Sequence, residues 1–338
     1  MKKKTTIYDI ARYLKISPAS VSYVLNNKPK VSKETKEAVL KAIKELGYSI
    51  DYKGVALSTG KTRVVALFLP SNNISSAFLQ NQFFAEFIGY FQNELESKNY
   101  DIVIKPTNVS MDFGTWARNR GIDSAVFIGV FPDKFYRDII DLEIPIVLVD
   151  VFSSHSNEFI NIRSNDENGM FLATNELIEN GHKNIAFISG DVEKSYVDKC
   201  RFEGFKRALT SHNIKVRKEN LYNCVATFNK GVELANQISS NKNITAVVCA
   251  ADAIALGLMK GLSQLNYSVP KDISIVGFDD ISTASLVTPS LTTINQHIEN
   301  KAKLSAKLIL SVMNGEKTTQ KNYVIEPALV KRDSVNKI

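Results

Sequence analysis

The 338-residue chain is poor in the residues from which disulfide frameworks and metal centres are built. Its three cysteines, Cys200, Cys224 and Cys249, are isolated and form no CxxC pair. That excludes a disulfide scaffold or zinc ribbon and suits free thiols in a reducing cytoplasm. The four histidines, His155, His182, His212 and His297, are scattered without ligand spacing, and there is no HExxH. No GxGxxG follows the first apolar run, and the GKT at 60–62 lacks the upstream glycine of a phosphate loop. No run of 18 apolar residues occurs, and MKKKTTIYDIARYLK leads into a helical pattern without the apolar core of a signal peptide. The expectation is a cytoplasmic, non-membrane protein with no metal, no cofactor and no catalytic residues.

What is present is a basic surplus confined to one end. Residues 1–62 hold 13 Lys or Arg against 5 Asp or Glu, a net of +8, whereas the whole chain is +7, so the remainder sums to −1. The same stretch carries three short helical patterns. Thr6 is placed to cap a helix from about Ile7 to Leu14, with Ile7, Ile10, Ala11 and Leu14 on one face. Ser17 and Pro18 open a second helix, in which Val21, Val24 and Leu25 turn inward. Ser32 caps a third, with Ala38, Val39, Ala42, Ile43 and Leu46 inward and Gly47 at its C-terminal stop. About two residues separate the first pair, the spacing of a helix-turn-helix whose second helix enters the DNA major groove. Ser17, Pro18, Ala19, Ser20, Ser22 and Tyr23 lie on its outward face. Pro18 and Ala19 suit thymine methyls, and Tyr23 suits a base or a phosphate. A three-helix bundle with no nucleic-acid role is the bland alternative, which the confined positive charge disfavours.

From Thr62 onward, short apolar runs alternate with helical stretches. VVALFL (64–69), DIVI (101–104), SAVFIG (124–129) and IPIVLV (144–149) read as buried parallel strands, as do IAFIS (185–189), TAVVCA (245–250) and ISIVGF (273–278). Helices are expected at about 78–97, 168–180, 197–210, 229–240 and 252–265. The aromatic stripe Phe83, Phe84, Phe87, Ile88, Phe91 and Leu95 reads as core rather than as a cofactor site. Two β/α sets of this size exceed one ordinary core and imply two lobes facing across a cleft beyond the strand ends. Asp150 and Asp279 follow such strands and Arg201 opens a helix. Each also has a plain reading, as a cap for the aspartates and a surface charge for the arginine.

Residues 6–62 resemble the DNA-binding head of the lac repressor family in TIYDIARYL, ISPASVSYVLN, VSKETKEAVLKAI, LGY and TGKT, and the resemblance extends along essentially the whole chain. It implies an α/β fold with an N-terminal all-α head and a two-lobed domain of the type I periplasmic-binding-protein kind. The implied division is a head at 1–48, a hinge at 49–61 and a body at 62–338. The first lobe then takes about 62–162 and 295–323, and the second about 163–292 and 326–338. Crossings fall near 160–166, 290–296 and 322–328, which gives a helix at about 297–313 to the first lobe. The implied function is a homodimeric transcription regulator, a repressor of a palindromic double-stranded operator controlled by a small molecule, a sugar foremost.

The resemblance adds Thr6, Asn26 and Lys30 to the DNA contacts and makes Leu57 the minor-groove wedge. Tyr23 stands where relatives commonly have arginine, and Ile50, Asp51, Gly54 and Val55 replace the usual hinge residues. It puts Asp150, Arg201 and Asp279 together in the cleft and adds Asn165, Asp252, Gln296 and an aromatic platform near Tyr222. Asn165 and Asp252 have the alternative reading of supporting a crossover or capping a helix, and Ala251 replaces a frequent asparagine. The loop 70–82 reads either as a cover for a larger ligand or as plain surface. A nucleobase, a phosphorylated metabolite or a partner protein remains open as effector. A sugar-binding module or enzyme on the same two-lobed fold is the remote alternative.

Overall fold

A computed structural model describes residues 5–25, 30–48, 60–70, 82–107, 112–129, 131, 133–140, 142–151, 158–318 and 320–338. Asn26, Leu57 and nearly all of the expected hinge and of the loop 70–82 lie outside these residues. The chain divides into two compact units, Met1–Thr62 and Arg63–Ile338.

In the first unit, α1 (Ile7–Leu14) begins with a reciprocal cap. The Thr6 side chain accepts from the Asp9 N–H while the Asp9 carboxylate accepts from the Thr6 N–H at 2.9 Å. Lys15 ends the helix in the left-handed region, at φ 53°. Only Ile16 and Ser17 then precede α2 (Pro18–Leu25), where the Ser20 N–H donates to Ser17 Oγ at 3.1 Å. Helix α3 (Lys33–Glu45) starts from Ser32, whose hydroxyl accepts from the Thr35 N–H at 3.2 Å. The core is small: Ile10, Ala11, Val21, Val24, Val39 and Ala42 are buried. Ala38, expected inward, is exposed, while Val39 and Ala42, with the partly buried Ile43 and Leu46, make up the inward face. Tyr13 Oη donates to Glu45 at 3.1 Å and Thr5 Oγ1 donates to the Leu46 carbonyl at 2.8 Å, so polar ties at the rim join the first helix to the third.

The second unit holds two parallel sheets. The larger contains β1 (Val64–Leu69), β2 (Asp101–Pro106), β3 (Ser124–Ile128), β4 (Ile146–Val149), β5 (Ile160–Ser164) and β11 (Asn322–Ile325), ordered β11-β5-β4-β3-β1-β2. Alternation along β1 serves both faces. Val65, Leu67 and Leu69 join the core with Phe83, Phe87 and Phe91 of the helix Gln82–Glu96. Ala66 and Phe68 join the opposite one, where Phe68 stacks on Phe127 at 4.5 Å between centroids and meets Phe113 edge-on.

The smaller sheet runs β7 (Leu221–Asn223), β6 (Ile185–Ser189), β8 (Ala246–Cys249), β9 (Ser274–Val276). Single bridges, Val276 to Thr292 and Asp279 to Asn295, extend it to β10 (Thr293–Asn295), which pairs antiparallel with β12 (Ala328–Val330). On one face the helices Phe228–Ser240 and Asp252–Gln264 approach so closely that a Cβ on Gly257 would sit 1.9 Å from the Phe228 carbonyl oxygen. The chain leaves the larger sheet after β5, returns after β10 to lay the helix Ile298–Met313 against β3, β4 and β5, and leaves again after β11. Among the described residues no helix is long and apolar enough to cross a membrane.

Candidate effector site and DNA-reading face

The carboxyl ends of β4, β5 and β9 converge with the crossover after β10, and there the chain places charges. Asp150 follows β4 with φ 53° and Asp279 follows β9 with φ 128°, left-handed conformations uncommon for residues with a side chain. Lys301, from the helix Ile298–Met313, is fully buried at 0% exposure. Its ammonium donates to Asp150 Oδ1 at 2.8 Å and Oδ2 at 2.7 Å, to Ser164 Oγ at 2.9 Å and to Gln296 Oε1 at 2.6 Å. The Gln296 amide then donates to Asp279 Oδ1 at 2.6 Å. A continuous polar chain thus runs from Asp150 of the first lobe to Asp279 of the second.

Arg201 stands on the far side. Its Nε and Nη2 reach Asp166 Oδ1 at 2.8 and 2.7 Å, its Nη1 donates to the Ala250 carbonyl, and its guanidinium lies 3.8 Å from the Phe278 ring centroid. Burial raises the Asp166 carboxyl above its ordinary range against the opposing pull of Arg201. It raises Asp279 further, again opposed by Arg201 and reinforced by Asp252. For Arg201, burial pulls the pKa down, but Asp166 and Asp279 outweigh it and the net shift is upward. Asp166 Oδ2 is buried without a hydrogen-bond partner among the described residues.

Asp150, Arg201, Gln296 and Asp279 are therefore brought together, and three other expected residues are not. Asp252 is fully buried. Its Oδ1 accepts from Thr293 Oγ1 at 2.5 Å and its Oδ2 from the Ile281 N–H at 3.0 Å, while a Cβ on Gly277 would lie 2.0 Å from Oδ1. Both of its carboxylate oxygens are thus engaged within the crossover. Asn165 caps the helix Asp166–Glu179 and donates to Glu326 at 3.0 Å, again tying a crossover. Tyr222 is half-buried on the edge strand β7 against the second-lobe core, with no described contact to the charged group.

Two members of the group went unforeseen in the sequence. Asp166 follows the capping Asn165 and reads as an ordinary first-turn acid. Lys301 had a usable signal, since it shares the buried face of its helix with Ile298, Ala302, Ser305 and Ile309.

In the head, Ser17 and Ala19 of the expected reading face are exposed, while Pro18, Ser20, Ser22 and Tyr23 are half-buried. Ser17 Oγ and Ser20 Oγ lie 2.9 Å apart, and the exposed Lys30 holds its ammonium 5.9 Å from the Tyr23 ring centroid. The Thr6 hydroxyl is engaged by Asp9 at 2.7 Å, so its role in the fold is as a cap.

A helix-turn-helix unit joined to a two-lobed parallel α/β unit with a polar inter-lobe cleft defines a ligand-responsive DNA-binding regulator. The family described as "Bacterial regulatory proteins, lacI family" matches residues 6–51, and "Periplasmic binding protein-like domain" matches residues 174–335. The chain is 31% identical over 340 residues to the transcriptional repressor PurR of Vibrio vulnificus, covering 98% of this chain and 99% of that one. It is 29% identical over 336 residues to the transcriptional regulator RegA of Clostridium saccharobutylicum, covering 98% and 99%. The cellobiose complex of the transcriptional regulator CelR superposes with a TM-score of 0.72 at 25% identity, covering 98% of this chain and 100% of that one. The chain belongs to the lacI family of bacterial transcription regulators. These are DNA-binding proteins and not enzymes, which sets the enzyme reading aside.

Proposed function

We propose that the protein is a cytoplasmic repressor that binds a roughly palindromic operator as a homodimer, and that a neutral polyhydroxylated small molecule, a sugar, controls it from the inter-lobe cleft. The observation that carries the ligand reading is the convergence of Asp150, Gln296, Asp279 and Arg201 from both lobes in one polar cluster. Carboxylates and a guanidinium at hydrogen-bond range hold hydroxyl pairs well, and groups on both lobes favour one lobe angle when a ligand bridges them. The angle already has direct ties, since the Ser282 N–H donates to Glu86 Oε1 at 2.7 Å and Thr283 Oγ1 meets Gln82 Oε1.

The division proposed is a head at 1–48, a hinge at 49–61 carrying the Leu57 wedge, and a body at 62–338, with α2 reading bases through Pro18, Ala19 and Tyr23. Support for a dimer comes from the body surface. A hollow of about 610 Å³ lined by Phe228, Leu256, Met259, Ile281 and Val287 lies on the helix Asp252–Gln264. Phe228 in its lining is 40% exposed and Leu286, next to Val287 in sequence, is 78% exposed, apolar side chains that a partner subunit would cover.

The test pairs operator titration with a ligand screen of pentoses, hexoses, disaccharides, sugar phosphates and purines. A cleft effector must change operator affinity by the factor by which operator changes effector affinity. Asp279→Asn should abolish that response. Parental effector affinity in this variant sinks the site assignment, and a micromolar monomer with and without operator sinks the dimer.

A further inference from the structure

Lys301 is unusual even within this charged group. A fully buried ammonium is costly unless every N–H is matched. Here three N–H bonds face four oxygens within 2.6–2.9 Å, two of them from Asp150. The Phe83 ring centroid is 5.6 Å away on another side. Lys301 therefore has no N–H to offer a ligand unless Asp150 releases it. Arg201, the other cation, is paired with Asp166. That leaves Asp279, hydrogen-bonded to Gln296, as a third carboxylate against two paired cations.

We propose that Lys301 is a specificity-determining residue of the cleft: it neutralises Asp150 from within the first lobe and so selects ligands that donate hydroxyls over ligands that carry phosphate or carboxylate. Because Gln296 Oε1 is claimed by Lys301 and by Ser164 Oγ at 3.2 Å, its amide nitrogen must face Asp279, which fixes the amide in one orientation. Asp150 Oδ2, engaged by Lys301 alone among the described residues, and Asp279 Oδ2 remain as acceptors for ligand hydroxyls. An incoming anion would meet an acceptor-rich wall in which both cations are already paired.

This inference rests on the cleft being the effector site, yet its test needs no effector. Thermal unfolding of the full chain is compared in inorganic phosphate and in chloride at matched ionic strength. The parent, Asp150→Asn, Lys301→Met and the Asp150→Asn/Lys301→Met pair are measured together, so that phosphate bound by the basic head cancels. The parent and Lys301→Met should show the same phosphate shift. Asp150→Asn, in which the ammonium loses its counter-ion, should gain a saturable upward shift that the double variant loses. A phosphate shift in the parent that Lys301→Met removes, or no gain in Asp150→Asn, overturns the proposal.

Should Asp150→Asn not fold, the parent alone decides, by NMR of the ¹⁵N-labelled lysine ammonium groups. A slowly exchanging ammonium signal, absent in Lys301→Met and unmoved by phosphate, is expected. No such signal, or one that titrates with phosphate, overturns the proposal. Failure of the effector reading itself would show differently, as operator affinity indifferent to every ligand in the screen.

Discussion

Thr6, Asp9 and Ser32 in the head and Arg201, Asp166 and Lys301 in the body are all polar side chains matched to polar partners, but they differ in how much water surrounds them. The head's pairs sit at exposed helix ends, where losing a partner lets water replace it. The body's pairs are buried, with 11% of the Arg201 side chain and none of Lys301 exposed. There a lost partner strands a charge. Polar chemistry therefore trims the stability of the head but is a condition of folding for the cleft.

The largest expected effect is from Arg201→Ala, which leaves Asp166 buried without its ion-pair partner and removes a positive charge that offsets the burial of Asp279. A loss of about 3–5 kcal/mol in urea unfolding of the body is expected, and a loss under about 1 kcal/mol, the scale of a surface pair, would put Arg201 with the head's surface pairs. Next comes Lys301→Met, which strands Asp150 at a similar scale, while adding Asp150→Asn should restore much of the loss in a double-mutant cycle. Additive losses would mean the two residues do not act as a pair.

Acidity separates the regions by sign. Burial, partly opposed by the Thr293 hydrogen bond, pushes Asp252 up to about 7, whereas an unfolded aspartate loses its proton near pH 3.9. Between those values the folded chain binds more protons, so this contribution to stability falls as pH rises from about 4 to about 7. Asp166 and Asp279, also raised, act in the same direction. Asp252→Asn should flatten the pH profile of unfolding in that window, and an unchanged profile would remove Asp252 as its source. In the head, the Ser32 hydrogen bond holds Glu34 below its ordinary value, so its contribution is instead lost as pH falls. The smallest effect is expected from Ser32→Ala, about 1 kcal/mol for one exposed cap, measured as a lower midpoint of the head's unfolding.

Much of this architecture was legible because it is periodic. VVALFL and IAFIS are strands at the residues read from the sequence, since runs buried on both faces leave no ambiguity of phase. β5, INIRS, escaped because Asn161 and Arg163 interrupt it. Asn161 is nonetheless buried, its amide held by the Val151 carbonyl at 2.7 Å. The short strands β7, β10 and β12 have three residues each, too few for any period to show. In the cleft, the strand-end aspartates were legible from position alone. Lys301 was harder to read, because a lysine on a helix is ordinarily solvated and two of its acceptors, Ser164 and Asp150, come from 137 and 151 residues away in sequence. The setting of Asp252 was hidden for the same reason, since its partner Thr293 lies 41 residues on.

The return of β11 to the edge of the larger sheet has a consequence for the order of synthesis. The head needs nothing beyond its own helices, whereas the first lobe waits for Asn322–Ile325 to pair with β5. At ordinary elongation rates of roughly 5–20 residues per second, that interval is roughly 15–60 s. A ribosome making this protein thus displays a DNA reader before it has made the device that governs it. Limited proteolysis of chains stalled at successive lengths should find the head protected first, and the first lobe protected only once residue 325 has cleared the exit tunnel.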